Sequence, residues 1–321
     1  MKTEKIKKLI IDELDKKNVC DLDVTNKKEK FYKTGSIVLD NLLMNTGYPQ
    51  GKIIEIYGPE SSGKTTLALQ AVAEMTQNKK YVIYFDLENS LNWEYAKNLK
   101  IDKEYFILCR LNSGEEVFDL IIKLIQLNCV ALIVVDSVAA LIANTELNEK
   151  IENNNIGLHA RLISKGIKLI NNYLLNSETS IIFVNQLRAK ISNFIGPQET
   201  TTGGVALKYF ASTRIEIRKV QTLLQENKPY GNVIKIKIVK NKNGIPFLTG
   251  NTELIFGQGI LLENEIANLA IDKKIIEKNG IWYKWNNENI AKGKKNLISY
   301  LQENQPAFDQ IKEVVFQSNN I

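Results

Sequence analysis

The chain has 321 residues, a formal net charge of +6, 24% charged and 44% hydrophobic residues, which bounds it to one large core with room for a smaller satellite. No apolar run approaches the ~20 residues that cross a bilayer, and the lysine-rich start meets Asp12, Glu13 and Asp15 instead of an apolar segment, which argues against a membrane span or a secretory signal. His159 is the single histidine, which excludes histidine-rich zinc sites, and the three cysteines (Cys20, Cys109, Cys129) show no paired spacing and read as buried free thiols of a reducing, cytoplasmic compartment.

Residues 2–17 place Ile6, Leu9, Ile10 and Leu14 at helical spacing, an amphipathic helix too short to stand alone whose stripe needs a core or a neighbouring subunit. Residues 20–33 read as a polar linker, Thr34–Asp40 leads into a short helix, and Gly47–Gly51 is a turn. The β-branched run Ile53–Tyr57 predicts a buried strand, and Leu67–Met75 a helix. Between them lies Gly58-Pro59-Glu60-Ser61-Ser62-Gly63-Lys64-Thr65-Thr66, which matches the P-loop spacing G-x-x-x-x-G-K-[ST] in the strand–loop–helix context that makes it work. Gly58 and Gly63 let backbone N–H groups ring a phosphate at the helix N-terminus; Lys64 would reach the β- and γ-phosphates of ATP and the Thr65 hydroxyl would hold Mg²⁺.

The next strand, Tyr81–Asp86, delivers Glu88 to the ligand edge of a parallel sheet, where a carboxylate can polarise an attacking water; a solvated loop acid is the other reading. Trp93 and Tyr95 follow on a helix and are either core or an adenine platform. After a helix over Glu115–Leu127, Ala131–Ser137 gives four apolar residues ending in Asp136, the Walker B pattern, whose acid meets Mg²⁺. Residues 144–157 are Asn-rich and read as an exposed loop, and Leu158–Leu175 is a helix carrying Arg161, Lys165 and Lys168. The strand Ser180–Gln186 opens a second long loop, Leu187–Gly204, with Arg188, Lys190 and Phe194. Strands Ser212–Val220 and Val233–Lys240 are joined by a polar loop holding Pro229-Tyr230-Gly231, with Lys235 and Lys237 alternating with isoleucines. From Lys208 to Lys242 there are nine Lys/Arg against two acidic residues, which suits a polyanion or a solvated basic face. Patterns beyond residue 262, with Trp282, Tyr283 and Trp285, suggest a small C-terminal α+β domain, giving the divisions 1–33, 34–261 and 262–321.

From about Thr34 to Tyr300 the chain resembles the bacterial RecA recombinase family. The motifs that carry the likeness are GPESSGKTT (Gly58–Thr66), VVDSVAAL (Val134–Leu141), NQLR (Asn185–Arg188), ETTTGG (Glu199–Gly204), VKNK (Val239–Lys242) and IIEKNGIWY (Ile275–Tyr283). The resemblance implies an α/β fold: a P-loop NTPase core with a mostly parallel sheet, a short N-terminal helix and a small C-terminal domain. It implies a DNA-dependent ATPase that uses ATP and Mg²⁺, forms filaments of its own copies on single-stranded DNA, pairs that strand with homologous duplex, and stimulates self-cleavage of an SOS repressor. By match, Glu88 is the catalytic carboxylate, Gln186 senses the γ-phosphate, Tyr95 and Phe256 pack on adenine, and Lys240 and Lys242 reach a neighbour's ATP. The loops 149–157 and 187–203, with Arg161, Ser164, Lys168, Arg188, Lys190, Phe194, Ile195, Gly203 and Gly204, would bind DNA. A scaffold in which hydrolysis serves only disassembly, or a ring helicase or small-molecule kinase of the same fold, are the other readings.

The chain departs from the family in five places. No G-K-G-S-[IV]-M stretch occurs in residues 18–33; Glu149 and Glu152 stand where the family has glycines; Ile195 takes the place of the family's Phe, with Phe194 one residue before it. Asn89-Ser90 replaces His-Ala, and no acidic tail follows Phe316, which predicts easier loading onto duplex DNA.

Overall fold

The computed structural model describes residues 29–44, 46–148, 157–189 and 199–317. The amphipathic helix expected at 2–17 lies outside them. Short strands β1 (Phe31–Tyr32) and β2 (Tyr48–Pro49) pair antiparallel around the helix Ile37–Leu42. A larger sheet is then built from β3 (Ile53–Gly58), β4 (Val82–Asp86), β5 (Phe106–Cys109), β6 (Leu132–Asp136), β7 (Ser180–Ala189), β8 (Glu199–Thr201), β9 (Thr213–Gln225), β10 (Lys228–Asn241), β11 (Thr249–Ile255) and β12 (Gly259–Ile260). The spatial order is β12-β11-β10-β9-β3-β7-β6-β4-β5, with β8 paired to β7. From β9 through β5 the strands are parallel, and beyond β9 they turn antiparallel. The expectation of a mostly parallel central sheet holds.

β3 and β6 are buried along their whole length, as strands covered on both faces must be. On one face the helix Lys64–Gln77 packs Leu67, Ala68, Ala71, Val72 and Met75 over Ile54, Ile56, Val134 and Ile182. On the other, the helices Gly114–Leu127 and Leu158–Tyr173 bring Ile121, Ile125, Ile163, Ile167 and Ile170 onto Ile133, Val135, Ile181 and Phe183. Alternation along β3 and β7 therefore feeds two cores from one sheet, and the carboxyl ends of β3, β4, β6 and β7 meet at one edge. That edge is where ligands of open α/β sheets bind.

Several local readings change: Phe31–Tyr32, expected in a linker, and Tyr48–Pro49, expected in a turn, pair as β1 and β2, and β7 and β8 pair at 187–189 and 199–201 in place of the expected loop. Residues 144–148 form a short helix, Asn144–Asn148, instead of opening an exposed loop. β9 and β10 are far longer than expected and join directly through Glu226 and Asn227, both at positive φ (49° and 62°), so Pro229-Tyr230-Gly231 lies within β10. A two-residue loop with left-handed backbone matches the twist of paired strands, and that conformation is one that a Glu-Asn sequence signals weakly. The cysteines are not buried: Cys129 is exposed and Cys109 half-buried, while Cys20 lies outside the described residues. Among the described residues no helix is long and apolar enough to cross a membrane.

Beyond β12 the helices Leu262–Asp272, Lys294–Glu303 and Gln305–Gln317 enclose a small antiparallel sheet of β13 (Glu277–Asn279), β14 (Trp282–Trp285) and β15 (Glu288–Lys292). Their apolar cluster of Ile266, Ala270, Tyr283, Leu297, Leu301 and Ile311 also takes in Ile37. Fully buried Glu265 fixes that junction. Its carboxylate accepts from Ser36 Oγ (2.7 Å), Thr252 Oγ1 (2.7 Å) and the Ile37 backbone N–H (2.6 Å), capping the helix Ile37–Leu42 from outside.

Candidate nucleotide site and nucleic-acid face

The loop after β3 is shaped by two glycines. A side chain on Gly58 would place its Cβ 2.1 Å from the Ile217 carbonyl oxygen, and Gly63 enters the helix Lys64–Gln77 at φ 97°. Pro59, Glu60 and Ser61 form the loop crown, with Glu60 and Ser61 exposed, whereas Ser62 is buried and its hydroxyl has no partner among the described residues. The Lys64 ammonium is folded back onto the Pro59 carbonyl (2.6 Å), and burial lowers its pKa against the opposing pull of Asp136, Glu88 and Glu60. An ammonium that bonds a single loop carbonyl among the described residues, at the head of a helix, is poised for an anion.

Thr65 Oγ1 donates to Asp136 Oδ2 (2.7 Å), which joins the P-loop helix to the tip of β6. The Tyr84 hydroxyl donates to the same oxygen (2.7 Å). Burial raises the Asp136 pKa, and these two hydrogen bonds oppose it. Thr66 accepts from the Tyr95 hydroxyl (2.9 Å), and Tyr95 is set by the Asn92 side chain, which caps its helix Trp93–Asn98. Tyr95 thus packs partly on the core and also reaches the P-loop helix. Phe256 is exposed on a turn tied to that helix by Asn98 Nδ2 and the Gly257 carbonyl (3.0 Å).

Glu88 lies on the exposed loop after β4. Asp86 holds this loop by accepting from the Ser90 and Leu91 backbone N–H groups, and Arg110 pairs with Asp86 (3.1 Å). Glu88 Oε1 accepts from Gln186 Nε2 (3.0 Å) and from the Ser137 hydroxyl. Gln186 ends the buried part of β7, and its carbonyl accepts from the Thr202 N–H (3.2 Å). Asn185 reinforces this, with Nδ2 bridging the Thr202 carbonyl (3.0 Å) and buried Glu55 (2.9 Å), itself paired with Arg214 (2.5 Å). The stem β7/β8 therefore hangs directly on the residue that touches Glu88. Arg218 adds a pair to Glu199 in the same stem (2.5 Å).

Arg161, Ser164 and Lys168 lie on the exposed side of the helix Leu158–Tyr173, and Arg188 is exposed on β7. Gly203, buried beside Val138 and Ile163, and exposed Gly204 turn the chain into the helix Ala206–Phe210. Lys190, Phe194, Ile195 and most of the loop 149–157 lie outside the described residues. Lys240 and Lys242 stand elsewhere. Lys240 pairs in register with Arg214 and so lies level with Glu55, while Lys242 bonds Ser212 next to Ile53. Measured along β3 at ~3.3 Å per residue, Lys240 is therefore about 10 Å and Lys242 about 17 Å down the strand from Gly58, on strand β10 two places over in the sheet. The Lys240 ammonium donates to the carbonyls of Lys208 and Tyr209 (both 2.8 Å), and burial, then Lys242 and Arg214, lowers its pKa.

RecA N-terminal domain matches residues 3–261, and RecA C-terminal domain matches 264–320. The chain belongs to the RecA family. It is similar to Protein RecA of Mycoplasma mycoides subsp. mycoides SC, 43% identical over 89% of this chain and 84% of the relative. Protein RecA of Mycoplasmopsis pulmonis is 41% identical over 96% and 88%, and that of Malacoplasma penetrans 41% over 98% and 97%. As a RecA family member the chain is a recombinase of DNA repair that uses ATP, binds DNA and forms filaments. Asp86, Ser137, Tyr84, Asn185, Glu55 and Arg214 were not singled out by the sequence. They belong to no short spacing rule, although Ser137 and Asn185 lie inside the motifs VVDSVAAL and NQLR, which assign neither a role.

Proposed function

We propose that this chain hydrolyses ATP with Mg²⁺ on single-stranded DNA and drives strand exchange with homologous duplex. One observation carries the reading: Lys64, Thr65, Asp136, Glu88 and Gln186 converge at one sheet edge, and the last of them also holds the stem of a long loop. The hydroxyl and carboxylate that meet at Thr65 and Asp136 are hard oxygen donors, a set that fits a hard divalent cation such as Mg²⁺. Bound there, the ion would neutralise charge on the phosphates. Lys64 and the backbone of Gly58–Thr66 bind the triphosphate, Tyr95 and Phe256 flank the base, and Glu88 aligns and takes a proton from the attacking water. When Gln186 turns to the γ-phosphate it releases Glu88 and biases the stem at Thr202, which couples nucleotide to the DNA loop.

Lys240 and Lys242 lie on β10, two strands from β3 and down it from Gly58, which supports a role in completing a neighbour's site. Arg161, Ser164, Lys168, Arg188, Lys190, Phe194, Ile195, Gly203 and Gly204 form the DNA path, with phosphate contacts giving sequence-independent grip. The boundary between 34–261 and 262–321, after an arm at 1–33, is supported by the change of matched domain between residues 261 and 264. Stimulated self-cleavage of an SOS repressor by the filament, in the cytoplasm, completes the reading. DNA-stimulated ATP hydrolysis measured alongside joint-molecule formation, with and without Mg²⁺, tests it. Turnover indifferent to DNA would overturn it.

A further inference from the structure

Glu88 Oε1 is shared by two donors that differ in what else they serve. The Gln186 amide has to leave the carboxylate if it is to reach a γ-phosphate. Ser137 has no such second role. It is 1% exposed, follows Asp136 at the tip of β6, and directs its hydroxyl at Glu88. The backbone around Glu88 does not need that hydroxyl. Leu87 N–H bonds the Asp136 carbonyl (2.9 Å), and Asp86 holds Ser90 and Leu91, so the loop is fixed on both sides of Glu88. What remains free is the orientation of an exposed, rotamer-rich side chain, and a carboxylate bonded through one oxygen keeps lone pairs for a water.

We propose that Ser137 is a positioning residue for ATP hydrolysis: its hydroxyl keeps the Glu88 carboxylate aimed at the attacking water once Gln186 has turned to the nucleotide. The proposal rests on the reading of Glu88 as the group that activates that water. Loss of alignment by about 1 Å can cost about 100-fold in rate, so a single retained hydrogen bond has a measurable effect.

The test is steady-state ATP hydrolysis by the full chain on single-stranded DNA with Mg²⁺. Ser137→Ala is expected to lower kcat by about 10- to 100-fold, while KM for ATP and affinity for the DNA stay within about twofold. Ser137→Cys, similar in size but a weak donor, should fall with it, and Ser137→Thr, which keeps the hydroxyl, should recover most of the loss. In a Glu88→Gln background Ser137→Ala should change kcat no further, because the group it aims has already lost its function. A purely structural role would instead lower the melting temperature, raise KM together with the loss in kcat, and add to the Glu88→Gln defect. A kcat for Ser137→Ala and Ser137→Cys within twofold of the wild type, beside a strongly impaired Glu88→Gln, overturns the proposal and leaves the reading of Glu88 intact. Normal turnover by Glu88→Gln overturns both.

Discussion

Glu88 is exposed, yet its carboxylate is held by side chains from two other strand ends, so its amide isostere should keep the geometry and lose the chemistry. Glu88→Gln is expected to bind ATP and single-stranded DNA normally and to slow hydrolysis by about 100-fold or more, checked by equilibrium nucleotide binding beside turnover. Glu55 poses the opposite case, a charge with a structural duty. It is fully buried and depends on Arg214 and Asn185. Arg214→Met strands that charge and should cost about 3–5 kcal/mol, read as a shift in the denaturant midpoint, whereas adding Glu55→Gln should recover much of it. At this scale the sequence was legible where spacing is local. Lys64 and Thr65 lie inside one nine-residue motif, and Asp136 ends an apolar run. Tyr84 and Ser137 were not legible as partners, because their hydrogen bonds span 52 and 49 residues and only the folded sheet juxtaposes them.

The helix Ile37–Leu42 has six residues, too few to hold itself, and its first N–H groups are satisfied by Ser36 and by Glu265. Glu265→Ala removes one acceptor from three buried donors and should cost about 2 kcal/mol; Glu265→Gln, which keeps an acceptor oxygen, should cost less. Thermal unfolding of the two variants checks the order. The elements that sequence patterns identified well are those with one dominant signal, such as β3 and β6, whose continuous β-branched runs reflect burial on both faces. The β9–β10 ribbon was underestimated. Its outer half carries Val220, Leu224 and Tyr230 exposed to solvent, so the alternation that marks a half-buried strand fades while backbone pairing continues. The helix at Asn144–Asn148 was hidden for a related reason, since asparagine-rich composition speaks for loops and only local hydrogen bonding decides otherwise.

Across the whole molecule, the proposed role of Lys240 and Lys242 separates binding of the nucleotide from completion of its site by a neighbour. Lys240→Ala should leave nucleotide affinity of the isolated protomer within about threefold while ATP-dependent assembly falls far more, measured by sedimentation against nucleotide titration, since the lost charge is proposed to act across an interface. The DNA face should show a different signature. Lys168→Ala and Arg188→Ala are each expected to reduce the slope of log affinity against log salt by about 0.7 on single strands, uniformly across sequences, in a fluorescence anisotropy titration.

With the lysines set down β3 from the P-loop, a row of protomers in which they complete a neighbour's site, as proposed, has two unlike extremities. At one end a triphosphate pocket would lack its neighbour's cations; at the other, Lys240 and Lys242 would have no pocket to complete. A pair would have one finished pocket out of two, and a long row nearly all of them. Specific turnover per protomer should therefore climb with row length and level off, and the two tips should gain and shed subunits at different speeds.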